Sequence, residues 1–521
     1  MRKPTIDPTI FWTSVSILGA VLGLLFINPE AGRQTISAIL GGITHNFDWF
    51  IEWFTFGGFI WLIYLTCSKY GDIKLGGPDD EPEFSTFSWI AVMITSGSGF
   101  AIMYWAAVEP IYYLSGPPFG LKPDSVDAAQ WGIAYGIFHW GFSAWGLFCI
   151  PAVAIGYGYH VRKIPFLKPS IACSGVLGKQ SEGWIGKTID IVILLGTVGG
   201  MGTSLGVCVP LMSACFTELF GIQPSVYLDA AVIIIWVSIF GTTAYLGLQK
   251  GIKVLSDWNV YGIIVLLSFM LIIGPTSFLL GYYFQSMGLM MQNFVGMSTY
   301  TAPILKSGWP QDWTAFYWAW WVVWAIYMGL FIARVSKGRT IRQMIIGSIL
   351  FPTLGTSLFY LVLGGSVVNL HLSDGVNLIS MLKDNGAPFV IIELLKSMPL
   401  LGIVLPLFIL IGFVYQATSF QGAAYTLASM ATAELRPDEE PAPWHRLFWA
   451  LVLGVLGFVM IIVGGLKIVQ LSSVILAVPV YIVLGIMIVS VVKWMREDFG
   501  TTLSSPKLVY DIKTCSVSSE A

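Results

Sequence analysis

Long apolar segments separated by short polar ones recur along the chain from residue 9 to residue 494. A run of about 20 apolar residues is long enough to cross a bilayer as a helix. The first run is too long for a cleavable signal peptide, and no small-residue cleavage site follows it. The pattern predicts an all-α polytopic membrane protein with twelve transmembrane helices, at 9–28, 49–69, 87–114, 131–157, 188–220, 226–248, 255–284, 314–335, 342–368, 399–432, 446–466 and 470–494.

The basic residues test this number of spans. If both termini are cytoplasmic, 21 of the 27 Lys and Arg residues fall in cytoplasmic segments, as the positive-inside rule requires. One span too many or too few would invert every later loop and scramble this asymmetry. The sequence therefore predicts twelve spans in the plasma (inner) membrane, with both ends in the cytoplasm.

Composition agrees with a lipid environment. Of 521 residues, 56% are hydrophobic and only 11% are charged, whereas a soluble protein carries roughly a quarter of charged residues. The net charge of −2 gives no indication of a nucleic-acid partner. The six cysteines show no CxxC spacing. The bilayer is the expected environment, and no cofactor is expected.

Two spans have features of broken helices. The third contains TSGSGF (95–100), and the fifth contains GTVGGMGTSLG (196–206). Glycine weakens a helix and lets a ligand approach the backbone closely. The same small residues could instead mediate a close helix–helix contact, and spacing alone does not decide between these uses.

The tenth span carries a polar island, YQATSFQG (415–422), inside an apolar segment. Hydroxyl groups in membrane helices commonly bond back to their own helix. As a set with the hydroxyls of the third and fifth spans, these residues resemble a small-cation site, because hydroxyl and carbonyl oxygens suit a hard ion.

The eighth span opens with FYWAWWVVW (316–324), which places four tryptophans within seven residues. Trp320 and Trp324 are four residues apart and Trp318 and Trp321 three apart, so the rings form two adjacent stripes. The fourth span offers a matching set in FHWGFSAWGLF, which runs from 138 to 148. Cages of aromatic rings bind quaternary ammonium groups. An aromatic belt at the membrane interface is the other interpretation, and Trp318 suits it.

These residues resemble the betaine/choline/carnitine transporter (BCCT) family. The eighth-span sequence FYWAWWVVWAIYMGLFIARVSKGRT (316–340) is close to that family's signature, and FHWGFSAW, MGTSLG (201–206) and LQKGIKVLSD (248–257) support it. The similarity extends from about residue 83 to residue 493. Within the family, FGLKPDS (119–125) and YTLA (425–428) resemble the carnitine branch.

The resemblance implies LeuT-like inverted five-helix repeats after two N-terminal helices, in a homotrimer. The organisation expected is a cytoplasmic N-terminus at 1–8, helices 1 and 2 at 9–86, a first repeat at 87–284, a connecting interfacial segment at 285–313, a second repeat at 314–494 and a cytoplasmic tail at 495–521. Discontinuous helices around a site at the bilayer midplane are typical of such folds.

The resemblance also implies the binding residues. An aromatic box for the trimethylammonium group falls on Tyr112, Trp140, Trp320 and Trp321. The substrate carboxylate is expected to meet main-chain amides at Gly97, Ser98 and Gly99. Further residues are expected to line the pathway: Trp145, Phe148, Trp324 and Met328.

The coupling mode divides the family. Its sodium-independent exchangers carry an arginine early in the seventh span, where this sequence has Asn259. The family's sodium site falls on Thr95, Ser98, Tyr415, Thr418 and Ser419. A second sodium site is less complete: Thr197 and Tyr327 are present, but Met201 stands where a hydroxyl is expected, and sulfur is a poor ligand for a hard ion.

The sequence therefore predicts a secondary transporter of a quaternary-ammonium zwitterion, such as carnitine or glycine betaine, driven by sodium. The alternatives are a sodium-independent exchanger of carnitine and γ-butyrobetaine, and a transporter of choline or a sulfonium analogue. An enzyme is not expected, because the five histidines are scattered and neither HExxH nor GxSxG occurs. A channel is disfavoured, since no span offers a filter-like loop.

Three polar residues inside or beside the spans have no role in this scheme. His139 is expected to be packed and hydrogen-bonded. Glu109 and Asp257 are expected to be structural residues near the membrane interfaces, where solvation is cheap.

Overall fold

A computed structural model describes residues 5–96, 99–164, 168–247, 249–373, 375–433, 435, 439–463 and 474–500. Its regular structure in these ranges is helical, with two isolated β-bridges between loops. The helices are α1 (Pro8–Ile27), α2 (Pro29–Cys67), α3 (Thr86–Ser96), α4 (Ala101–Ser115), α5 (Val126–His139), α6 (Phe142–Gly156), α7 (Pro169–Ala172), α8 (Ser174–Leu177), α9 (Trp184–Phe220), α10 (Val226–Leu246), α11 (Gln249–Ile273), α12 (Thr276–Ser298), α13 (Phe316–Val335), α14 (Ile341–Phe359), α15 (Gly365–Ser373), α16 (Leu378–Asp384), α17 (Ala387–Lys396), α18 (Leu401–Met430), α19 (Pro443–Val463) and α20 (Ala477–Phe499).

The all-helical membrane architecture is confirmed. Among the described residues, ten helices are long and apolar enough to cross a membrane, and a bent pair makes eleven. The remaining predicted span, the third, is divided into α3 and α4, of 11 and 15 residues, so neither half reaches spanning length by itself. The chain is an integral membrane protein.

Helix breaks follow the predicted positions only in part. The third span is broken, as its glycines indicate, but the fifth is one continuous helix, α9, so of the two uses left open for its glycines the structure shows the close helix–helix contact. Glycine within a helix keeps its backbone hydrogen bonds, and here it serves close packing instead. The fourth span breaks at Trp140 and Gly141, between α5 and α6, and this break was not predicted.

The seventh span ends earlier than predicted. Its helix stops at Ile273, and after Gly274 and Pro275 the chain turns by 108° into α12. Proline lacks the N–H that would continue the helical ladder. The predicted span 255–284 therefore runs across a bend, and most of α12 falls in the predicted connecting segment.

The N-terminus is attached to the ends of two long helices. Residue Ile6 forms a β-bridge with Thr432 after α18, and Asp7 caps α1 while pairing with Lys187 of α9 at 3.0 Å. Burial acts to raise the pKa of Asp7, but the bonds from Lys187 and the Ile10 amide outweigh it and lower the pKa below its usual value. These contacts hold the starts of α1 and α9 against the end of α18.

Candidate functional site

A cavity of about 50 Å³ lies where the broken spans meet α13 and α18. Aromatic rings form much of its wall, and its polar groups come from α9 and α18. The lining residues are Gly99, Ala101, Trp140, Phe148, Ser204, Trp320, Trp321, Trp324, Tyr327, Met328, Gln416, Ser419 and Phe420. Most of the predicted substrate residues are therefore brought to one enclosed place.

Three indole rings form a cage at this cavity. The ring centroid of Trp140 lies 5.6 Å from that of Trp320 and 5.2 Å from that of Trp321, with interplanar angles of 81° and 82°. Trp320 and Trp321 are 6.5 Å apart, and Phe148 stands 4.9 Å from Trp321. Rings at near-right angles present faces to a common space, and each face carries negative quadrupole charge. The arrangement suits a cation that cannot donate hydrogen bonds.

The break between α5 and α6 positions the first of these rings. The backbone carbonyl of Trp140 accepts hydrogen bonds from the Trp145 indole N–H at 3.0 Å and from the Thr356 hydroxyl at 2.8 Å. These two hydrogen bonds take the place of the helical bond that the Trp140 carbonyl loses because the helix is interrupted at Gly141. The carbonyl is therefore satisfied at bilayer depth. Trp145 does not line the cavity. The centroid of its ring lies 5.4 Å from that of Trp321, so Trp145 packs against a ring of the cage without lining the cavity.

The glycines of α9 allow the other side of the cage to form. The Trp320 indole N–H donates to the Gly200 carbonyl at 3.2 Å. A β-carbon on Gly200 would lie 2.6 Å from the Trp324 indole nitrogen, which is closer than such atoms can approach. The glycine-rich segment that the sequence singled out thus lets two tryptophans of α13 pack directly on the backbone of α9.

The break in the third span lies against α18. Gly99 has φ +47°, and a β-carbon built on it would be 3.5 Å from the Ser419 hydroxyl oxygen. Residues Gly97 and Ser98 lie outside the described residues, and of Thr95 only the helical backbone is described. The predicted carboxylate and sodium positions in this loop therefore stay predictions, but the loop's described end does reach the predicted hydroxyls of α18.

The hydroxyls of the polar island bond back to their own helix. Thr418 donates to the Tyr415 carbonyl at 2.9 Å and Ser419 donates to the same oxygen at 3.0 Å. This is the ordinary use of hydroxyls in membrane helices. A donating hydroxyl keeps its oxygen lone pairs, so both side chains can still act as ligands to a cation.

Two polar groups at the cavity were not predicted from the sequence. Gln416 is 1% exposed, and its amide nitrogen has no partner among the described residues. The indole N–H groups of Trp321 and Trp324 are likewise buried and without a described partner. Unpaired buried donors are costly, so such groups commonly serve a ligand. An amide inside an otherwise apolar helix was the available signal for Gln416.

Two predicted aromatic residues lie away from the cavity. Tyr112 packs 5.3 Å from Trp313 and is absent from the cavity wall, so the predicted fourth side of the box is not in contact with the other three. Trp318 is 1% exposed and packs against Phe138 at 5.3 Å, which excludes a place in an interfacial belt. Rotation along the helix turns Trp318 away from Trp320, since a two-residue step changes direction by about 200°.

A second cavity, of about 220 Å³, shares Tyr327 with the first. It extends along the C-terminal half of α13 past Leu330 to Arg334, on the side where the charge pattern places the cytoplasm. Its other walls come mainly from α18 and the segment after it. Tyr327 therefore lies between the caged space and a wider vestibule.

Of the less complete sodium site, Thr197 is buried on α9 and Tyr327 is partly buried on α13. The Thr197 hydroxyl donates to the Ile193 carbonyl at 2.9 Å and lies 3.5 Å from the Val323 carbonyl. Met201 is fully buried beside them on α9. Asn259, at the exchangers' arginine position, is 7% exposed, and its side-chain oxygen has no partner among the described residues.

The polar residues near the cage differ from expectation in one respect. His139 is packed as expected, with Tyr113 at 2.9 Å and Thr314 at 3.1 Å on its two ring nitrogens. Glu109, by contrast, is fully buried and accepts a hydrogen bond from the Tyr360 hydroxyl, so the expectation of a place near a solvated interface is wrong. α4, which carries Glu109, is buried along almost its whole length. The side chain of Asp257 lies outside the described residues.

The chain matches a known protein family over most of its length. The family model for betaine/carnitine/choline transporters matches residues 9–500. Among solved structures, the crystal structure of MhsT in complex with L-phenylalanine is similar over 81% of this chain and 91% of its own, at 13% sequence identity and a TM-score of 0.43.

Proposed function

The chain belongs to the betaine/carnitine/choline transporter family, and on this premise we propose that it takes up a quaternary-ammonium zwitterion such as carnitine or glycine betaine, coupled to sodium, by alternating access. Membership makes it a secondary transporter of quaternary ammonium compounds and not an enzyme. The proposal adds the zwitterionic substrate, the coupling ion and a homotrimeric assembly in the plasma membrane.

The cage of Trp140, Trp320 and Trp321 is the observation that carries the proposal. A trimethylammonium group has no hydrogen-bond donors, so rings are its natural partners, and a desolvated cation–π contact contributes about 2 kcal/mol. The rings are 2%, 5% and 4% exposed, so a bound cation would be desolvated. A purely apolar ligand would bury in such a space too, which makes the charge of the ligand the decisive test.

The anionic end of the substrate has donors within the same cavity. Gln416 offers an amide and Trp324 an indole N–H, and both are buried without a described partner. The family resemblance adds the main-chain amides of Gly97 to Gly99. Choline has a neutral hydroxyl in place of the carboxylate, which can accept from one of these donors but leaves the other unpaired, and this disfavours it by roughly the 1–3 kcal/mol that an unmade buried hydrogen bond costs.

A neutral isostere tests the cage directly. Replacing the trimethylammonium group of the substrate by tert-butyl keeps its size but removes its charge, so competition for uptake should weaken at least about tenfold. A dimethylsulfonium analogue of equal length, which keeps the charge, is the control and should compete well. The measurement is inhibition of radiolabelled uptake into proteoliposomes. Equal competition by the neutral compound would mean a merely apolar pocket and would contradict the proposal.

Gly200→Ala tests the packing of α13 on α9. The added methyl group would displace the Trp324 ring, and overpacking of this kind costs about 1–3 kcal/mol of stability. We expect a cost of this size on the substrate-binding conformation to lower affinity by about 5- to 150-fold. Gly196→Ala is the matched control one turn earlier, because its new methyl would meet Val323 at an ordinary 3.5 Å. Substrate titration by tryptophan fluorescence compares the two. The same affinity for both variants would show that Trp324 has no part in binding.

A further inference from the structure

The helix α2 carries a buried acidic residue that no part of the transport scheme uses. Thr44, Asp48, Glu52 and Thr55 recur at spacings that place them on one helix face, and all four are buried. Glu52 is 0% exposed, and neither of its carboxyl oxygens has a hydrogen-bond partner among the described residues. An ionisable residue inside a membrane domain is costly and usually functional.

The neighbours of Glu52 are oxygen-rich and include unpaired acceptors. Asp48 accepts hydrogen bonds from the Trp49 amide at 2.7 Å and from the side-chain amide of Gln311 at 2.5 Å. The Gln311 nitrogen also donates to the Thr301 carbonyl at 2.9 Å, so its orientation is fixed. Gln311 is 8% exposed, and its side-chain oxygen is buried without a partner among the described residues.

Among the described residues, the groups that interact with Glu52 carry no positive charge. Glu52 interacts electrostatically with Asp48 on its own helix, with Tyr135 on α5 and with Tyr481 on α20. The Tyr135 hydroxyl is fully buried and has no described partner, while Tyr481 is bonded to Thr55 at 2.8 Å. Two acids, two phenols and a glutamine oxygen are thus buried in the same part of the protein, and the electrostatic partners of Glu52 are acids or phenols.

Two adjacent carboxylates without a cation are unstable in such a place, since burying even one unpaired charge carries a large penalty. We propose that Asp48, Glu52, Gln311 and Tyr135 form a cation-binding site that takes one positive charge, as a proton on Glu52 or as an alkali-metal ion held by the side-chain oxygens. Both ligands supply the same missing charge. The site is separate from the substrate cavity and does not depend on the identity of the substrate.

The location gives the site a mechanical consequence. Gln311 begins the π-helical turn 311–315 that leads directly into α13, the helix that bears Trp320 and Trp321. Thr314 in the same turn bonds to His139, next to Trp140. π-Helical turns are frequent at functional sites. A cation that draws Asp48, Glu52 and Gln311 together would hold this end of α13 against α2.

The test measures thermal unfolding of the full-length protein in detergent without substrate, across pH at fixed sodium and across sodium at fixed pH and ionic strength. In wild type, the unfolding midpoint should rise by about 1–2 °C for each tenfold increase in the free concentration of the cation that the site binds. Glu52→Gln removes the need for the charge and should remove this dependence. Glu30→Gln, on the exposed part of the same helix, should keep it.

The pH series and the sodium series together identify the cation that binds. Dependence on pH alone assigns a proton, and dependence on sodium assigns an alkali-metal ion. Asp48→Asn provides a second variant, which should weaken the dependence by removing one of the two negative charges. If wild type shows neither dependence, or if Glu52→Gln retains the full wild-type response, the site does not exist. Because no substrate is present, failure here leaves the proposed transport function untouched.

Discussion

Trp321→Ala should abolish most substrate uptake while leaving the amount of folded protein in the membrane close to wild type. Trp321 contacts most of the other rings around the cage: its ring centroid lies 5.2 Å from that of Trp140, 5.4 Å from that of Trp145 and 4.9 Å from that of Phe148. Losing its cation–π contribution of about 2 kcal/mol lowers affinity roughly thirtyfold. Trp320→Ala should act similarly, because Trp320 closes the opposite side.

The conservative variant separates chemistry from packing. Trp321→Phe keeps an aromatic face with a smaller quadrupole, so it should retain more affinity than the alanine variant. Truncating a buried tryptophan also costs about 3–5 kcal/mol of folding stability, so the unfolding midpoint must be measured beside uptake. Trp184→Ala, at a ring that is 73% exposed, is the control and should transport like wild type. Wild-type uptake by both Trp320→Ala and Trp321→Ala would refute the cage.

Thr418→Ala combined with Ser419→Ala should remove sodium-driven accumulation. Both hydroxyl oxygens lie beside the Tyr415 carbonyl, and Ser419 lies at the substrate cavity next to Gly99. Removing two hard oxygens leaves a sodium ion with too few ligands. Each sodium ion entering across 100 mV supplies about 2.3 kcal/mol, or roughly fiftyfold accumulation before its own gradient is counted. That gain should disappear from uptake into proteoliposomes with an imposed sodium gradient and membrane potential.

A matched pair of hydroxyls provides the control. Ser238 and Thr243 on α10 also bond back to carbonyls four residues earlier, at 2.7 and 3.0 Å, but are not part of either cavity. Their double alanine variant should keep its sodium dependence. Full-rate substrate exchange by wild type in sodium-free buffer would instead assign the protein to the exchangers. The absence of the exchangers' arginine at Asn259 would then need another explanation.

The position of the rings could be predicted from sequence only in part. The signature in α13 identified Trp320, Trp321, Trp324 and Met328, and all four reach the cavity. Tyr112 does not, although its place in the motif implied that it would. Helical periodicity fixes the angle between two side chains of one helix. It does not fix how far α4 is rotated or shifted relative to α13, because packing between the two helices decides both.

Polar residues inside the spans were the least predictable. Gln416 lies in the motif YQATSFQG, of which only the hydroxyl residues were interpreted, as part of a cation site. A role for Gln416 is indicated only by its burial at the cavity without a described partner. Glu109 follows a short apolar stretch that suggested an interface, yet it lies in the core against Tyr360. Glu52 gives no signal in sequence beyond being an acid within a span, because its significance depends on which residues of α5 and α13 face it.

The sequence by itself determined the helical membrane architecture and the limits of most spans. Predicted 226–248 and 399–432 correspond to helices at Val226–Leu246 and Leu401–Met430. This succeeds because each helix satisfies its own backbone in lipid, so the length of an apolar run is decided locally. The tertiary structure alone decided the break at Trp140, the continuity of α9 and the grouping of donors and rings around one cavity. Those features depend on contacts between helices distant in the chain, where packing selects one rotation and depth among many that a single amphipathic pattern permits.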